Sequence, residues 1–541
     1  MAQWPATVGV VRQDRAATAA ASMIPKPPFA CDLSLEDELA AFERLKPRLA
    51  GMWSALTASD DRSYTSVVVP SMTLDQSELR KLVGASFYEE RLLLLLIRLR
   101  NPRAHVVYVT SQPVHPSILD YYLTLLMGIP ASHARRRLTM LCAHDASPRA
   151  LTQKILERPR LVERIRSAIL DPAQAYMTVF NSTPLERRLS VLLGIPLNGL
   201  DPGLQHLGTK SGSRKIFREA GVEMAAGFED LTSEAEVVEA LLELRRSRPG
   251  LRRAIVKLND SFSGEGNAVC TLPEESSRES VQRTLRSLEF AVSSETHDSY
   301  FSKLGGMGGV VEEFLEGAQK ASPSVQLRTG PDGRVVLIST HDQILGGPSS
   351  QVYVGCTFPA QNAYRPVIQA LALRIGRVLG GHGVVSRFGI DFMATRQNSR
   401  APWQVSALEI NLRVLGTTHP FLALRFLTGG ELDPSSGLFH SLSRRVKYYK
   451  ATDNLQSEAY RGLLPEDLMD ILSVHQLHYD QRTESGVLFH LMGALSEYGK
   501  LGVTAIANTP AETREIYDRT LAVLDSETRF GRTPAANAPT G

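Results

Sequence analysis

Two segments of the chain close alike. "PSILDYYLTLLMGIP" (116–130) and "TPLERRLSVLLGIPLNG" (183–199) both run through an apolar helical pattern into Gly-Ile-Pro. Glycine accepts the left-handed cap conformation and proline forbids a further helical turn, so each segment is a helix with a defined stop. A strand-like run rich in β-branched and aromatic residues precedes each one, "AHVVYVTS" and "AYMTVF". Repeated strand–helix units need crossover connections, which predicts a parallel sheet between about Leu35 and Gln205. In the same region "FYEERLLLLLIRL" reads as a helix broken by "NPR". Its run from Leu92 to Ile97 is flanked by Arg91 and Arg98 and falls short of the ~20 residues that cross a bilayer, so it reads as a core-facing stripe.

At 541 residues the chain is too long for one hydrophobic core and implies three or four domains. Its 60 basic and 57 acidic side chains leave a net charge of +3, so no global field draws it to nucleic acid or an anionic membrane. The basic runs "HARRRL" and "LRRSRPGLRR" read as solvated faces. Cys31, Cys142, Cys270 and Cys356 lack the paired spacing of a zinc site or redox dithiol, and few thiols in a long chain fit a reducing compartment. Residues 1–35 lack the apolar stretch of a secretion signal; they are read as a mobile arm, and the protein as cytoplasmic.

Beyond Leu207 the texture becomes α+β with antiparallel character. Helical "SRKIFREAGV" and "EAEVVEALLELRRS" lead to the strand "RRAIVKLND" and the loop "SFSGEGN". A strand "GVVEEFLEG", a hairpin turning at "GPDG", a helix "RPVIQALALRIGRVL" and the strands "SRFGIDFMA" and "QVSALEINLR" follow. The last block, "HQLHYDQRTESGVLFHLMGALSEYGKLGVTAIAN" with the helix "AETREIYDRTLAVL", reads as a small α/β unit ahead of a polar tail. The predicted domains are 36–206, 207–445 and 446–530, with residues 531–541 as a disordered tail.

Lys257 stands near the end of its strand, and the following loop offers Ser261, Ser263, Gly264 and Gly266. Such glycines let backbone N–H groups approach a phosphate, and the lysine supplies countercharge; a hairpin tip is the plainer reading of the loop alone. "GLQHLGTKS" is one residue away from a phosphate-loop motif, but Thr209 is inserted and the turn "PLNGLDP" leaves no room for its launching strand. In "ALEINLR", Glu409, Asn411 and Arg413 alternate, so they share one strand face with about 7 Å between neighbours. Arg387, Gly389, Asp391 and Met393 share a face of their own strand. If the two strands pair, Asp391 lies opposite Glu409 and Asn411 and creates an all-oxygen site of the kind magnesium prefers. A half-exposed edge strand with polar residues toward water is the alternative.

The order of a lysine ahead of a helix, a lysine strand before a Gly/Ser loop, a "VEEFL" strand, an Asp strand and a Glu-x-Asn-x-Arg strand resembles the ATP-grasp superfamily. "KSGSRKIFREAGV", "VKLNDSFSGEGN", "STHDQILGG" and "EINLR..GTTHP" resemble the pheganomycin-type peptide ligases and their carboxylate-amine ligase relatives within it. The resemblance runs from about Leu35 to Leu524. It implies a Rossmann-like pre-ATP-grasp domain, an ATP-grasp fold and a small C-terminal α/β domain. It further implies that Lys210 and Lys257 contact ATP phosphates, that "SFSGEGN" closes over them, that Glu312, Glu313, Phe314 and Leu315 border the adenine, and that Asp391, Glu409 and Asn411 hold magnesium, as two ions. Leu415 departs from the pattern by standing where a second glycine is expected.

Such a ligase phosphorylates a carboxylate with ATP, and an amine attacks the acyl phosphate. Arg413 is placed for the carboxylate and the oxyanion that follows. Arg387, about 13 Å along its strand from Asp391, is a second catalytic candidate on the acceptor side, with a salt bridge to a nearby carboxylate as its plainer role. His341 is a candidate for the acceptor pocket, whereas His419 and His490 read as structural. The expected partners are small-molecule or peptide carboxylates and amines, with a homodimer by family analogy. A biotin-carboxylase-like enzyme is one alternative, weakened because no glutamate follows Arg413 in Val414–Thr418. A non-catalytic ATP-binding regulator is another.

Overall fold

The computed structural model describes residues 33–57, 62–74, 76–260, 266–274, 277–292, 295–346 and 352–528. Ser261, Ser263 and Gly264, most of the arm and the tail lie outside them.

The first sheet carries β1 (Tyr64–Val69), β2 (Ala104–Thr110), β3 (Leu138–Cys142), β4 (Ala175–Val179) and β5 (Leu197–Asn198) in the order β3-β2-β1-β4-β5. Every pairing in it is parallel, as the repeated Gly-Ile-Pro stops imply. Gly194 takes the left-handed cap at φ 69° and donates its N–H to Ser190 and Val191 carbonyls, so the stop works as its chemistry dictates. The Leu-rich segment is a helix, Ala85–Arg100, but wound as a 3-10 helix. Its Leu92, Leu93, Leu94, Leu96 and Leu99 are buried, which confirms the stripe as core.

A second, five-stranded sheet contains β6 (Gly227–Leu231), β7 (Arg253–Leu258), β8 (Asn267–Thr271), β9 (Glu289–Phe290) and β10 (Gly309–Glu313), ordered β6-β10-β7-β8-β9 and antiparallel throughout. The third sheet is larger. It takes β11 (Gln319–Ala321), β12 (Pro323–Thr329), β13 (Val335–Gly346), β14 (Val352–Phe358), β15 (Ser386–Arg396) and β16 (Gln404–Asn411). It continues through β17 (Glu431–Leu432), β18 (Phe439–His440), β19 (Val446–Gln456), β20 (Gly486–His490) and β21 (Lys500–Ala507). The β12–β13 hairpin turns at "GPDG", where Gly333 has φ 73°.

β19 pairs with both β14 and β21, so the strands of the C-terminal α/β unit extend the same sheet that holds β15 and β16. Hydrophobic packing follows the same route. The Leu-rich helix, the helix Thr418–Thr428 and the C-terminal strands share one core containing Leu93, Phe421, Leu424 and Phe489. The helix Arg365–Gly381 covers the other part of the sheet through Ile368, Ala372 and Ile375 against Leu327, Phe388 and Ile390. Among the described residues no helix is long and apolar enough to cross a membrane.

Candidate active site

β15 and β16 pair antiparallel with Asp391 directly opposite Glu409 and Gly389 opposite Asn411. Period-two alternation then turns Asp391, Glu409 and Asn411 to one side. The Asn411 amide donates to Asp391 Oδ2 at 3.1 Å and to Glu409 Oε1 at 3.0 Å, and its carbonyl accepts from Arg413 Nη2 at 2.9 Å. Gln343 of β13 donates to Asp391 Oδ1 at 2.7 Å. Lys210 forms an ion pair with Glu409.

Lys210 is carried by the first residue of the helix Lys210–Glu219, and the inserted Thr209 is that helix's N-cap, accepting from Gly212 N–H at 3.0 Å. Gly212 has no substitute here, because a Cβ on it would stand 2.0 Å from the His206 carbonyl oxygen. Asn259, just past β7, accepts from the Lys210 N–H through its carbonyl at 3.2 Å and from the Ser211 N–H through its side chain at 2.9 Å. The Ser213 hydroxyl accepts from Ile410 N–H at 3.0 Å. These bonds tie the lysine helix both to the strand bearing Lys257 and to the strand bearing Glu409.

Lys257 lies in the second sheet, its Nζ 2.6 Å from Glu312 Oε2 on the adjacent β10. Arg214 grips the other oxygen of Glu312 at 2.7 Å. Burial alone would raise the Glu312 carboxyl, but the Lys257 and Arg214 charges outweigh it and the group lies below the usual carboxylate range. Burial, followed by the charge of Glu409, pushes Asp391 upward. For Glu409 burial also pushes upward, yet the charge and hydrogen bond of Lys210 outweigh it and the carboxyl is lowered. Two facing carboxylates held apart electrostatically, with an amide beside them, form a hard oxygen donor set. Among the described residues no three His, Cys, Asp and Glu side chains gather as metal ligands; the groups here that could hold a cation are the two carboxylates and the Asn411 amide oxygen. The residues fit magnesium.

Lys210, Lys257, Glu312, Glu313, Phe314, Leu315, Asp391, Glu409, Asn411 and Arg413 all line one cavity of about 780 Å³. Gly266 lies at its margin, its carbonyl accepting from Leu258 N–H and the Tyr300 hydroxyl, both at 3.0 Å. Arg387 lines a separate small cavity instead, one that it shares with Arg413. His341 is buried in the core, bonded to the Tyr449 hydroxyl and 5.7 Å from the Phe358 ring; burial pushes it down to about 3, and it does not line the large cavity. His419 and His490 are buried with ring centroids 4.2 Å apart. Sequence reasoning missed Arg214, Gln343 and Asn259. Gln343 shares a face with His341 in the quoted "STHDQ", and Arg214 lies within the quoted lysine helix, but their partners come from other strands.

The chain is 31% identical, over 86% of its length and 94% of the relative's, to the L-propargylglycine–L-glutamate ligase of Streptantibioticus cattleyicolor. A family model described as "IQCH-like, ATP-grasp" matches residues 202–297 and 279–435, and one described as "PGM1 C-terminal domain" matches 467–520. The chain belongs to the ATP-grasp superfamily. Within it the chain stands with the pheganomycin-type ligases, and it is a ligase forming a carbon–nitrogen bond. It is also 26% identical over 69% of its length to the IQ motif-containing protein H of Danio rerio, of which it spans 40%. The ATP-grasp fold is shared with the biotin carboxylase of Campylobacter jejuni at a TM-score of 0.52 and 12% identity, covering 88% of this chain and 97% of that one.

Proposed function

We propose that this ATP-grasp ligase joins an amino-acid carboxylate to an amine through an acyl phosphate, releasing ADP and phosphate. The observation carrying the proposal is the convergence of Lys210, Lys257, Asp391, Glu409, Asn411 and Arg413 on one 780 Å³ cavity. Lys210 and Lys257 bind the phosphate tail; each is held by a buried or half-buried carboxylate that keeps its ammonium in place. Glu312 to Leu315 border the base, with the Phe314 ring braced by Arg253 and Lys320 at 4.2 and 4.6 Å. Asp391, Glu409 and Asn411 would hold two magnesium ions, whose charge would offset that on the phosphate oxygens.

Arg413 holds the substrate carboxylate so that one oxygen faces the γ-phosphorus. As that oxygen bonds to phosphorus, the bond to the bridging oxygen breaks and ADP leaves. The amine then attacks the acyl carbon, the guanidinium stabilises the oxyanion, and phosphate departs with the electrons of its C–O bond, taking up the proton that the nitrogen gives up. A carboxylase reading lacks its base, since Val414, Leu415, Gly416, Thr417 and Thr418 offer no carboxylate after Arg413.

The proposed division of the chain is a pre-ATP-grasp αβ unit over 36–206, the nucleotide-binding ATP-grasp unit over 207–445 and a C-terminal ligase-associated unit over 446–530. The proposed setting is the cytoplasm; Cys142, Cys270 and Cys356 are free thiols. The proposed assembly is a homodimer, checked by light scattering. Incubation with ATP, magnesium, hydroxylamine and a panel of amino acids tests the chemistry. Hydroxamate with ADP supports the acyl phosphate, whereas AMP and pyrophosphate would mean adenylation.

A further inference from the structure

Arg328 of β12 and Arg387 of β15 occupy directly opposed positions of an antiparallel ladder. Like charges so placed destabilise a sheet unless something between them compensates. Nη1 of Arg387 is buried without a hydrogen-bond partner. The charges acting on Arg387 come from Arg328, Arg425 and Arg98, all positive, and with burial as the larger cause they pull its guanidinium down to about 9. Arg425 is itself exposed and has Glu431 nearby.

The partners of the other two buried-side guanidiniums are neutral. Arg98, from the Leu-rich helix, donates to the Ser66 hydroxyl and to Thr178 Oγ1 at 3.2 Å. Arg328 donates to Asn198 Oδ1 at 3.0 Å and lies 4.3 Å over the Trp53 ring. Side-chain oxygens and an aromatic face orient these guanidiniums but cancel none of their charge. A cationic cluster held rigid this way is a preformed anion site.

The cluster lines a cavity of about 70 Å³ where the first sheet meets β12 and β15. That is room for roughly two waters, or for one carboxylate, and far too little for a nucleotide. Phe180 and Arg413 line both this cavity and the 780 Å³ one, so the small cavity adjoins the active site as an annex beside Arg413.

We propose that the annex receives a second carboxylate of the acid substrate, so that the enzyme selects an acidic amino acid: one carboxylate reacts beside Arg413 while the other sits between Arg387, Arg328 and Arg98. The inference rests on the ligase reading above and names its substrate class. Arg387 is then a specificity residue, removed from the transferring phosphoryl group. The pairing also explains why two guanidiniums are tolerated on one rung: the substrate is their missing counterion.

The test uses the full chain. With ATP, magnesium and hydroxylamine, ADP release is expected with L-aspartate, L-glutamate or L-2-aminoadipate, and slower by about tenfold or more with their monoamides. Arg387→Gln and Arg328→Gln are each expected to raise KM for the preferred acid by roughly thirtyfold or more, leave KM for ATP within about twofold, and recover partly as Arg387→Lys. Equal turnover with the monoamides, or an unchanged KM in Arg387→Gln, overturns the annex while leaving the ligase chemistry standing. If no acid yields ADP, the ligase reading fails and the annex is judged by titration calorimetry. Heat from L-glutamate that disappears in Arg387→Gln supports it; no binding, or equal binding of sulfate, overturns it.

Discussion

Asp391 and Glu409 face each other across one rung of an antiparallel ladder, and Lys210 is ion-paired with the second of them. A lone pair of carboxylates so close would repel, and the lysine offsets only one. Replacing Glu409 with Gln keeps the shape while removing the charge a divalent cation needs. Turnover is expected to fall about a thousandfold or more, with the melting temperature unchanged or raised. Asn411→Ala should behave alike. ADP release and thermal unfolding on the same preparations check both, and near-normal activity in either variant would remove the magnesium assignment.

Arg413 donates to the Asn411 carbonyl at 2.9 Å and lines the large cavity beside Asp391 and Glu409. Arg413→Ala is expected to lower kcat by about two to three orders of magnitude, the loss typical of removing one oxyanion donor. Steady-state kinetics with saturating ATP measures it. A change confined to KM would reassign the residue to binding.

Glu312 holds two cations, Lys257 and Arg214, and its side chain is only 5% exposed. Glu312→Ala leaves both positive charges without their partner, which costs about 3–5 kcal/mol. Denaturant unfolding should show that loss together with a raised KM for ATP, because Lys257 loses the group that aims it. Glu312→Gln should lose less stability, and an unaltered KM in it would uncouple Glu312 from the nucleotide.

Glu90 on the Leu-rich helix is fully buried and accepts from the Gly493 N–H at 3.1 Å. Burial pushes its carboxyl up to about 8; the Gly493 amide lowers it somewhat and the neighbouring Glu89 raises it. Between the ordinary carboxylate range and that value the folded state binds the proton more tightly than the unfolded chain. Its stabilising contribution is therefore full at low pH and is lost as pH rises through about 8. Glu90→Gln, which keeps the acceptor, should melt at the wild-type temperature near pH 5 and a few degrees above it near pH 9. Parallel melting curves at both pH values would remove this assignment.

Gly389 sits opposite Asn411, and a Cβ on it would stand 1.9 Å from Cδ1 of Leu415, the residue that replaces an expected glycine. Gly389→Ala should depress turnover by displacing Leu415 from the cavity wall, and Gly389→Ala with Leu415→Ala should regain much of it. An additive double variant would show that the two side chains act independently.

The pairing of β15 with β16 was legible because period two fixes which residues share a face, and only one register places Asp391 against Glu409. The parallel sheet was legible from two identical helix stops. Contacts between distant strands left no such trace. Glu312 reaches Arg214 across 98 positions of chain and Lys257 across 55, and nothing in the sequence around any of the three identifies its partner. The opposition of Arg328 and Arg387 likewise exists only once β12 lies beside β15. Period alone also did not separate a 3-10 helix from an α-helix over Ala85–Arg100, since a helix buried on most sides shows little stripe of either repeat.

β19 is flanked by β14 on one side and β21 on the other. Whoever wishes to transplant this catalyst, or to splice a foreign acceptor unit onto it, therefore has to carry everything from β19 onward along as inseparable luggage. Cutting after β19 would bare a long ribbon edge inviting other chains to zip onto it. Lineages that recombine these modules should inherit the two halves together.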